Sequence, residues 1–495
     1  MTGTPSVLIP ALLAVPVLAG TAAFLAPRAA ASLEMLVAGT LGIAALVAAL
    51  AVRWAGGETL TAGGAWFRVD ALSILHLGML AAVALLATVF ARGHFVRELE
   101  SGAIPERDIR KFALLWSGAI LSMMVVLVSN NLGLMWVGLE STTVTTAFLV
   151  SLHRTPRSLE ATWKYIIVCS VGIALAFMGT LLMAAAASRV PGGELSPLMW
   201  TRLVEIAGSL DPASVRIAFI FLLVGFGTKA GLVPMHTWLP DAHSQAPAPV
   251  SALFSGFMIN TGFYCLLRYQ AVMAGVPGGA EWSRGLLMAF GIISILVAAA
   301  FIIFQTHLKR FLAYCSVEHM GIIALGVGLG GFGTFAALFH AVNHSVAKTL
   351  AFCSAGRLGQ AHGTHEMADI RGTLRSYPVW GAGLWISLLA LFGVAPLAIF
   401  FSEFLVARSA MDAGRYLALG ALLAGVGVAF IGGMRKAIAM AMGAPSTEER
   451  ETRAGFRAVL LVGTASAVLL TLGLYIPDWL LKLIGDAAGI VDGGR

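Results

Sequence analysis

Charged residues are scarce in this chain of 495 residues, and that scarcity excludes most classes of protein. Only 12% of the residues are Asp, Glu, Lys or Arg, whereas a soluble protein usually has about 25%. So few charges cannot cover a water-exposed surface, which excludes a soluble globular enzyme, a disordered protein and a nucleic-acid binder. The net charge of +7 comes from Lys and Arg placed between apolar stretches, so it is not a phosphate-binding surface. With 58% apolar residues, the composition is typical of a polytopic helical membrane protein.

Cofactor-binding motifs are also missing. The four cysteines stand singly in apolar runs without a CxxC pair, so we interpret them as small buried residues rather than metal or iron–sulfur ligands. No GxGxxG segment opens a helix after a strand, and no GxxxxGK[ST] segment occurs, which argues against dinucleotide and ATP binding. We therefore expect no cofactor and no metal in this chain, and another subunit to handle electrons or ATP if either drives it. The cysteines are Cys169, Cys265, Cys315 and Cys353.

Long apolar stretches fill most of the chain. A transmembrane helix needs about 20 apolar residues, and by that measure there are about fourteen spans. The first has no basic segment before it, so we expect it to remain as a helix rather than to act as a signal peptide. The longest polar connections lie at 93–110, 188–212, 357–376 and 443–456, and none has the size of a soluble domain. The predicted spans are 6–26, 33–53, 70–91, 111–129, 131–152, 163–187, 213–235, 248–273, 286–306, 309–330, 333–356, 379–406, 415–434 and 457–481.

The distribution of Lys and Arg predicts how the chain lies in the membrane. Connections that follow odd-numbered spans hold 19 of these residues, and those that follow even-numbered spans hold nine, with Arg268 counted among the nine. Since cytoplasmic connections are enriched in Lys and Arg, this bias predicts that the odd connections are cytoplasmic. Both termini are then expected on the non-cytoplasmic side of the inner (plasma) membrane, and the polar connection 443–456 in the cytoplasm.

Two ionisable residues lie inside apolar spans of the first half, where a charge costs at least about 2.5–3.5 kcal/mol. Glu140 has no other charge on its span, which favours a proton or ion carrier over a carboxyl group that caps a neighbouring helix. Lys229 is followed by Pro234, and a helix opened by proline beside a lysine is typical of ion paths in transporters. The alternative for Lys229 is a side chain that extends to the membrane surface. We expect Glu140 and Lys229 to act as a pair, in which the approach of the carboxylate holds the proton on the lysine.

Polar residues continue in the segment that follows Pro234. His236, Asp241 and His243 include two histidines and a carboxylate, the side chains of many metal sites. Three prolines interrupt any regular helix here, so convergence of these ligands is not assured. We interpret the segment as a polar re-entrant turn that lines an ion path, with His236 on that path.

A second group of ionisable residues lies in the second half. His340, His344 and Lys348 are spaced four residues apart, so they share one helical face at intervals of about 6 Å. No glutamate stands between the histidines as in HExxH zinc sites, and a hydrated proton path accounts for the lysine better than a metal or a structural polar stripe does. Glu318 and His319 add a carboxylate and an imidazole in the preceding span, although each could be a lone hydrogen-bonding group.

Glu403 shares a span with Pro396, and this combination repeats that of Lys229 and Pro234. The two broken spans lie five spans apart, and an odd offset reverses the direction of crossing, as inverted repeats require. In series, the ionisable residues from Glu140 to Glu403 suit a proton relay and do not suit a bulky organic substrate.

Four long segments of the chain resemble a known family, namely the antiporter-like membrane subunits of respiratory complex I, Mrp cation/proton antiporters and membrane-bound hydrogenases. They are KAGLVPMHTWLPDAHSQAPAPVSA, THLKRFLAYCSVEHMG, HAVNHSVAKTLAF and FFSEF, and the similarity covers about residues 65–435. Within the family the chain is most similar to hydrogenase-4 component F, through GLESTTVTTAFLVSLHRTPRSLEATWKYIIVCSVGIALAFMGTLL and SVEHMG.

The resemblance implies an all-α protein of about fourteen transmembrane helices, with two inverted five-helix repeats that each contain a broken helix. The implied division is helices 1–3 in 1–110, the first repeat in 111–275, the second repeat in 286–434, and a cytoplasmic loop with the last helix in 435–495. The implied roles are a modulating carboxylate for Glu140, the modulated lysine for Lys229, a central connection for His340, His344 and Lys348, and terminal exchange for Glu403.

One position departs from the pattern of the complex I relatives. Where these usually have a further lysine after the broken helix, this chain has Asn260, as hydrogenase-type relatives do. An amide can bond water but cannot hold a proton. The series therefore has one exchangeable group fewer between Lys229 and His340.

The resemblance implies a proton-translocating membrane subunit without a redox centre, assembled with other membrane and peripheral subunits. The leading expectation is a membrane-bound [NiFe] hydrogenase of the hydrogenase-4 or formate hydrogenlyase type. Moving one charge against 100 mV costs about 2.3 kcal/mol, so a partner must supply free energy. Two alternatives stay open: a subunit of an Mrp-type cation/proton antiporter, and a membrane subunit of a carbon dioxide hydration or inorganic carbon uptake complex. Glu and Lys serve H⁺ and Na⁺ alike, so the ion also stays open.

Overall fold

The computed structural model describes residues 4–191, 196–446, 451 and 454–494. About 80% of this part of the chain is helical, as expected of a protein whose backbone polar groups must be satisfied inside a lipid bilayer. The α-helices there are α1 (Leu8–Leu25), α2 (Ala29–Ala55), α3 (Ala71–Glu100), α4 (Glu106–Val128), α5 (Leu132–Val150), α6 (Pro156–Ala187), α7 (Trp200–Ile206), α8 (Pro212–Ala230), α9 (Trp238–Gln245), α10 (Ala248–Leu253), α11 (Ile259–Gly275), α12 (Gly279–Phe304), α13 (Leu308–Leu329), α14 (Phe332–His362), α15 (Thr373–Ser376), α16 (Pro378–Leu391), α17 (Ala398–Asp412), α18 (Tyr416–Met442), α19 (Phe456–Leu474) and α20 (Asp478–Val491).

Twelve helices in the described residues are long and apolar enough to cross a membrane, with α10 and α11 counted as one through the π-helical turn Phe254–Met258. Two further crossings complete the predicted fourteen. The 31 residues of α14 reach about 46 Å, and this helix is less apolar because it carries the predicted histidines and lysine. The broken pair α16 and α17 supplies the other crossing, because neither half is long enough alone.

The prediction that the last span, 457–481, continues to residue 481 is wrong. Helix α19 ends at Leu474, and α20 begins after Pro477, whose ring cannot continue the preceding helix. Helix α20 is amphipathic and packs its apolar face on α3. Three short strands that the sequence did not predict, β1 (Thr4–Pro5), β2 (Leu60–Ala62) and β3 (Phe67–Val69), form a small sheet in the order β1-β2-β3.

The two predicted helix breaks are present and have the same local sequence pattern. Gly231 caps the C-terminus of α8 with φ of 78°, and the segment after α16 contains Gly393 with φ of 61°. Each glycine is followed three residues later by a proline, Pro234 or Pro396, after a cis peptide bond. Glycine adopts a left-handed φ at little cost, and proline lacks the N–H that a continuing helix needs. Each break therefore interrupts the regular helix and opens the backbone.

One residue used for the orientation argument does not lie in a connection. Arg268 was assigned to an even connection, but it is buried in α11 and forms an ion pair with Asp70 at 2.7 Å. The paired carboxylate compensates the buried charge, which is why the arginine remains inside the protein. Arg450 and Arg453, which belong to the predicted connection 443–456, lie outside the described residues.

Candidate functional site

Lys229 lies in the last turn of α8, and its side chain is completely buried. Its Nζ donates hydrogen bonds to Thr143 Oγ1 at 2.9 Å and to Tyr165 Oη at 2.7 Å. Tyr165 Oη lies 2.7 Å from Thr146 Oγ1, so a group of hydroxyls takes the place of water around the amine. Lys229 therefore does not extend to the membrane surface, which was the alternative interpretation of the sequence.

Glu140 lies one turn before Thr143 on α5, so the carboxylate and the hydroxyl that binds Lys229 share one helical face. Its Oε1 accepts a hydrogen bond from Ser170 Oγ at 3.3 Å, and its buried Oε2 has no partner among the described residues. Within the described residues no ion pair of 4.0 Å or less joins Glu140 to Lys229, although the carboxylate charge acts on the lysine. Glu140 and Lys229 thus lie near enough to interact electrostatically, but their charged groups are not in contact.

Asn260 connects the first repeat to the central helix α14. Its Nδ2 donates to Ser345 Oγ at 3.3 Å and to Gly256 O at 3.4 Å. Ser345 directly follows His344, so the amide reaches the predicted histidine stripe through a neutral hydroxyl. This link can support hydrogen bonds to water but cannot store a proton.

Two of the predicted histidines form a direct chain. His319 Nε2 lies 3.2 Å from Leu391 O at the end of α16, and its Nδ1 lies 2.9 Å from His340 Nε2. His340 Nδ1 lies 2.9 Å from Ser402 Oγ. Because a carbonyl oxygen only accepts, His319 carries its proton on Nε2, and its Nδ1 then accepts from His340 Nε2. The single hydroxyl proton of Ser402 can be donated either to His340 Nδ1 or to Ile399 O, which lies 2.9 Å away. Such an oriented chain can pass a proton from one end to the other.

His344 lies beside this chain without joining it. Its ring centroid is 5.3 Å from that of His319, while the rings of His319 and His340 are 5.1 Å apart. Neither ring nitrogen of His344 has a hydrogen-bond partner among the described residues, although the side chain is fully buried. Buried polar atoms usually have a partner, and water can supply it where space allows.

Glu403 follows Ser402 on α17, and its carboxylate lies against the second helix break. A Cβ atom on Gly393 would overlap Glu403 Oε2 and displace this carboxylate, and the left-handed φ of the residue independently favours glycine. The side chain of Glu403 is buried. The broken helix therefore holds its carboxylate at the opened backbone.

Lys348 and Glu318 occupy the middle of the series. Lys348 is fully buried, and its Nζ donates to Leu312 O on α13 at 2.7 Å. Glu318, also on α13, is buried and lies within electrostatic range of both Lys348 and Glu403. The structure thus brings the charged residues of the second half together around α13.

The segment between the first helix break and α10 does not bring its polar residues to one point. Asp241 forms ion pairs with Lys164 at 3.2 Å and with Arg310. His236 lies in the break, with its ring centroid 6.2 Å from that of Tyr314. In the described ranges no group of three or more His, Cys, Asp or Glu side chains could hold a metal ion.

The predicted residues do not form one continuous hydrogen-bonded chain. Hydrogen bonds link Lys229 to its hydroxyls, and they link His319 to Ser402 through His340. No hydrogen bond among the described side chains joins Lys229 to Asn260. Sequence reasoning missed the hydroxyls around Lys229. A signal was present, because the run STTVTT directly follows Glu140 in an otherwise apolar span.

Comparison with known proteins identifies the family of this chain. The model of the family described as NADH:quinone oxidoreductase/Mrp antiporter, TM, matches residues 129–432. Over 371 residues the chain is 39% identical to the hydrogenase-4 component F homolog of Methylacidiphilum infernorum (isolate V4), which covers 73% of this chain and 78% of that protein.

Two solved structures share the fold. A chain of the membrane-bound sulfane sulfur reductase, an archaeal respiratory membrane complex, matches with a TM-score of 0.87 at 22% identity, covering 98% of both chains. A chain of the Mrp complex from Dietzia sp. DQ12-45-1b matches with a TM-score of 0.85 at 21% identity, again covering 98% of both. The matched family region contains both broken helices and every predicted site residue from Glu140 to Glu403. This chain belongs to the NADH:quinone oxidoreductase/Mrp antiporter family of multi-pass membrane proteins.

Proposed function

We propose that this chain is a proton-translocating membrane subunit of a hydrogenase-type oxidoreductase complex. The observation that carries the proposal is the oriented chain of Ser402, His340 and His319, which lies between the two halves of a broken helix. Imidazole accepts and donates protons near neutral pH, whereas sodium prefers several oxygen ligands. The described side chains of this segment therefore favour protons over sodium.

The residues act in series in this proposal. Glu140 and Lys229 form the switchable pair of the first repeat, and Asn260 links it to α14. His236 lies on the path at the first helix break. The second repeat carries the proton onward to the terminal carboxylate through the following residues: Glu318, His319, His340, His344, Lys348 and Glu403. Water joins the segments that no side-chain hydrogen bond connects.

We further propose the division into residues 1–110, 111–275, 286–434 and 435–495, and an orientation with the odd connections in the cytoplasm. The bias of Lys and Arg towards the odd connections supports this orientation, and it persists when Arg268 is removed from the even ones. The membrane is then the plasma membrane, with both termini outside the cytoplasm.

The partner assignment rests on the relative with 39% identity, which is named a hydrogenase-4 component F homolog. An Mrp-type antiporter subunit is the second candidate, because the Mrp chain shares the fold over 98% of both chains. A subunit that moves protons uphill needs a driving reaction, and a hydrogenase supplies one through electron transfer.

Purification of the assembled complex from its native membrane tests both candidates. We expect a [NiFe] large subunit to copurify, and proteoliposomes of the complex to take up protons only while electrons flow from donor to acceptor. Copurification of small Mrp-type membrane proteins, together with sodium-dependent proton flux without any redox reaction, would instead support the antiporter. The chain without its partners should oxidise neither hydrogen nor formate.

A further inference from the structure

A polar cavity of about 300 Å³ opens where several helices end on one side of the protein. Its walls include Glu98 near the end of α3, His153 after α5, Lys309 at the start of α13 and His365 after α14. All four belong to helix ends at odd connections. The cavity therefore faces the side of the membrane to which the bias of Lys and Arg assigns the cytoplasm.

Glu98 forms the most polar wall of this cavity. Its Oε2 accepts a hydrogen bond from His153 Nε2 at 3.0 Å. His94 Nε2 lies 3.1 Å from Glu98 Oε1 but is not aligned for a hydrogen bond, and Gln360 Nε2 donates to the same oxygen at 3.5 Å. Burial raises the pKa of Glu98, but His153 and His94 lower it well below its usual value, so the carboxylate stays ionised and draws protons towards the neighbouring imidazoles.

The opposite wall is built around Lys309, which is buried and donates to Ala246 O at 2.5 Å. The rings of His307 and His365 lie 5.6 Å apart beside it. Burial, and then the charge of Lys309, lowers the pKa of His365 well below its usual value. The same causes, with Arg310, lower the pKa of His307 to about 4. Both imidazoles are therefore neutral at neutral pH, so they can accept a proton and pass it on without retaining it.

Beyond the cavity lies an imidazole that the series described above does not use. His243 on α9 is fully buried, and neither ring nitrogen has a hydrogen-bond partner among the described residues. Its ring stacks on Phe352 of α14, with centroids 4.8 Å apart and planes 20° from parallel. The charges of Lys309 in the cavity and of Lys348 on the central helix both act on it. His243 thus lies between the cavity and the central series.

We propose that this cavity is the site where hydrated protons enter the chain, and that His243 passes them to Lys348. The neutral imidazole accepts a proton on the ring nitrogen nearer the cavity and gives up the proton of the other nitrogen to the lysine amine. This inference rests on the proposed proton translocation and adds a separate entrance to it. The switchable pair of Glu140 and Lys229 then controls transfer along the series, so its loss stops uptake even for protons that enter here.

The first test uses His243→Phe and Glu98→Gln in the assembled complex. Phenylalanine keeps the ring stacked on Phe352 but removes both nitrogens, so we expect proton uptake to fall by about tenfold or more. Glu98→Gln should lower uptake more at pH 8 than at pH 6, because high proton concentration compensates for a lost collecting group. His76→Phe, another buried ring, and Glu100→Gln, an exposed carboxylate on the same helix end, are the matched controls.

A second test uses sidedness. All four native cysteines are buried, so a single new cysteine can be labelled selectively. Thr364→Cys places a thiol in the cavity wall, and a membrane-impermeant thiol reagent should reach it from the odd-connection side and block proton uptake. Ser101→Cys lies exposed on the same side and should be labelled without any loss of uptake.

The outcomes separate the entrance from the proposed function. If the wild-type complex takes up no protons during turnover, the proposed function fails. A different result would overturn the entrance alone. In that case the wild-type complex takes up protons and Lys229→Met does not, so the proposed function stands. His243→Phe and labelled Thr364→Cys, however, take up protons as fast as the wild type.

Discussion

The two broken helices repeat one backbone pattern but differ in the chemistry beside it. In both, a left-handed glycine is followed three residues later by proline. At the end of α8 the carbonyl of Thr228 accepts from Trp238 Nε1 at 2.9 Å, a donor that does not titrate. At the end of α16 the carbonyl of Leu391 accepts from His319 Nε2 at 3.2 Å, a donor that does.

The ionisable groups differ in the same way. Lys229 stands before the first break and is held by hydroxyls, which bind the protonated amine well and accept its proton poorly. Glu403 stands after the second break, next to a chain of imidazoles that can both accept and donate. In the proposed function, the first repeat therefore holds a proton and the second repeat passes it on.

Interruption of the imidazole chain should have the largest effect. His340→Phe removes the hydrogen bonds to both His319 and Ser402, and we expect proton uptake by the reconstituted complex to fall by about a hundredfold or more. His362→Phe, at the far end of the same helix, should leave uptake unchanged. An assembled His340→Phe complex with normal uptake would show that the second repeat does not pass protons through this chain.

Loss of one hydroxyl from the first repeat should have a smaller effect. Tyr165→Phe removes a hydrogen bond to the ammonium group of Lys229, a bond worth about 1.5–3 kcal/mol. We expect at least about a tenfold fall in uptake, with the complex still assembled on a native gel. Thr145→Ala, on the same helix as Thr143 but not bonded to the lysine, is the control. Equal proton uptake by Tyr165→Phe and Thr145→Ala would show that the hydroxyls bound to Lys229 do not contribute to translocation.

A change at the second break sharpens the comparison further. Gly393→Ala adds a Cβ that overlaps the Glu403 carboxylate and occupies a left-handed φ. We expect uptake to fall by about three- to tenfold, since the carboxylate is displaced rather than removed. The control is Gly427→Ala on α18, where a Cβ meets open space. The measurement is the rate of proton uptake by equal amounts of the Gly393→Ala and Gly427→Ala complexes. Equal rates would contradict the role of the Glu403 carboxylate at the second helix break.

The link between the repeats should be the least sensitive. Asn260→Ala loses two long hydrogen bonds, of 3.3 and 3.4 Å, and water can replace both. We expect proton uptake to change by less than about threefold. If Asn260→Ala lost as much proton uptake as His340→Phe, the Asn260 amide itself, and not water, would be needed to connect the two repeats.

The sequence predicted the crossings and the helix breaks because apolar length and proline act locally. It also placed His319 and His340 in one functional series, although their direct bond joins α13 to α14 and is not visible in spacing. It could not show that Lys229 is bound by hydroxyls, because Thr143 and Tyr165 come from two other helices. Arg268 was misassigned for the same reason, since its partner Asp70 lies almost 200 residues away in sequence, on another helix end.

The ratio of protons taken up to electrons transferred by the assembled Lys229→Met complex tests the central claim most directly. Methionine keeps the length of the side chain without the amine, so assembly and electron transfer should persist. We predict that electrons still flow while proton uptake falls to the leak rate of empty vesicles. A ratio equal to that of the wild type, from a complex with its full set of subunits, would contradict it.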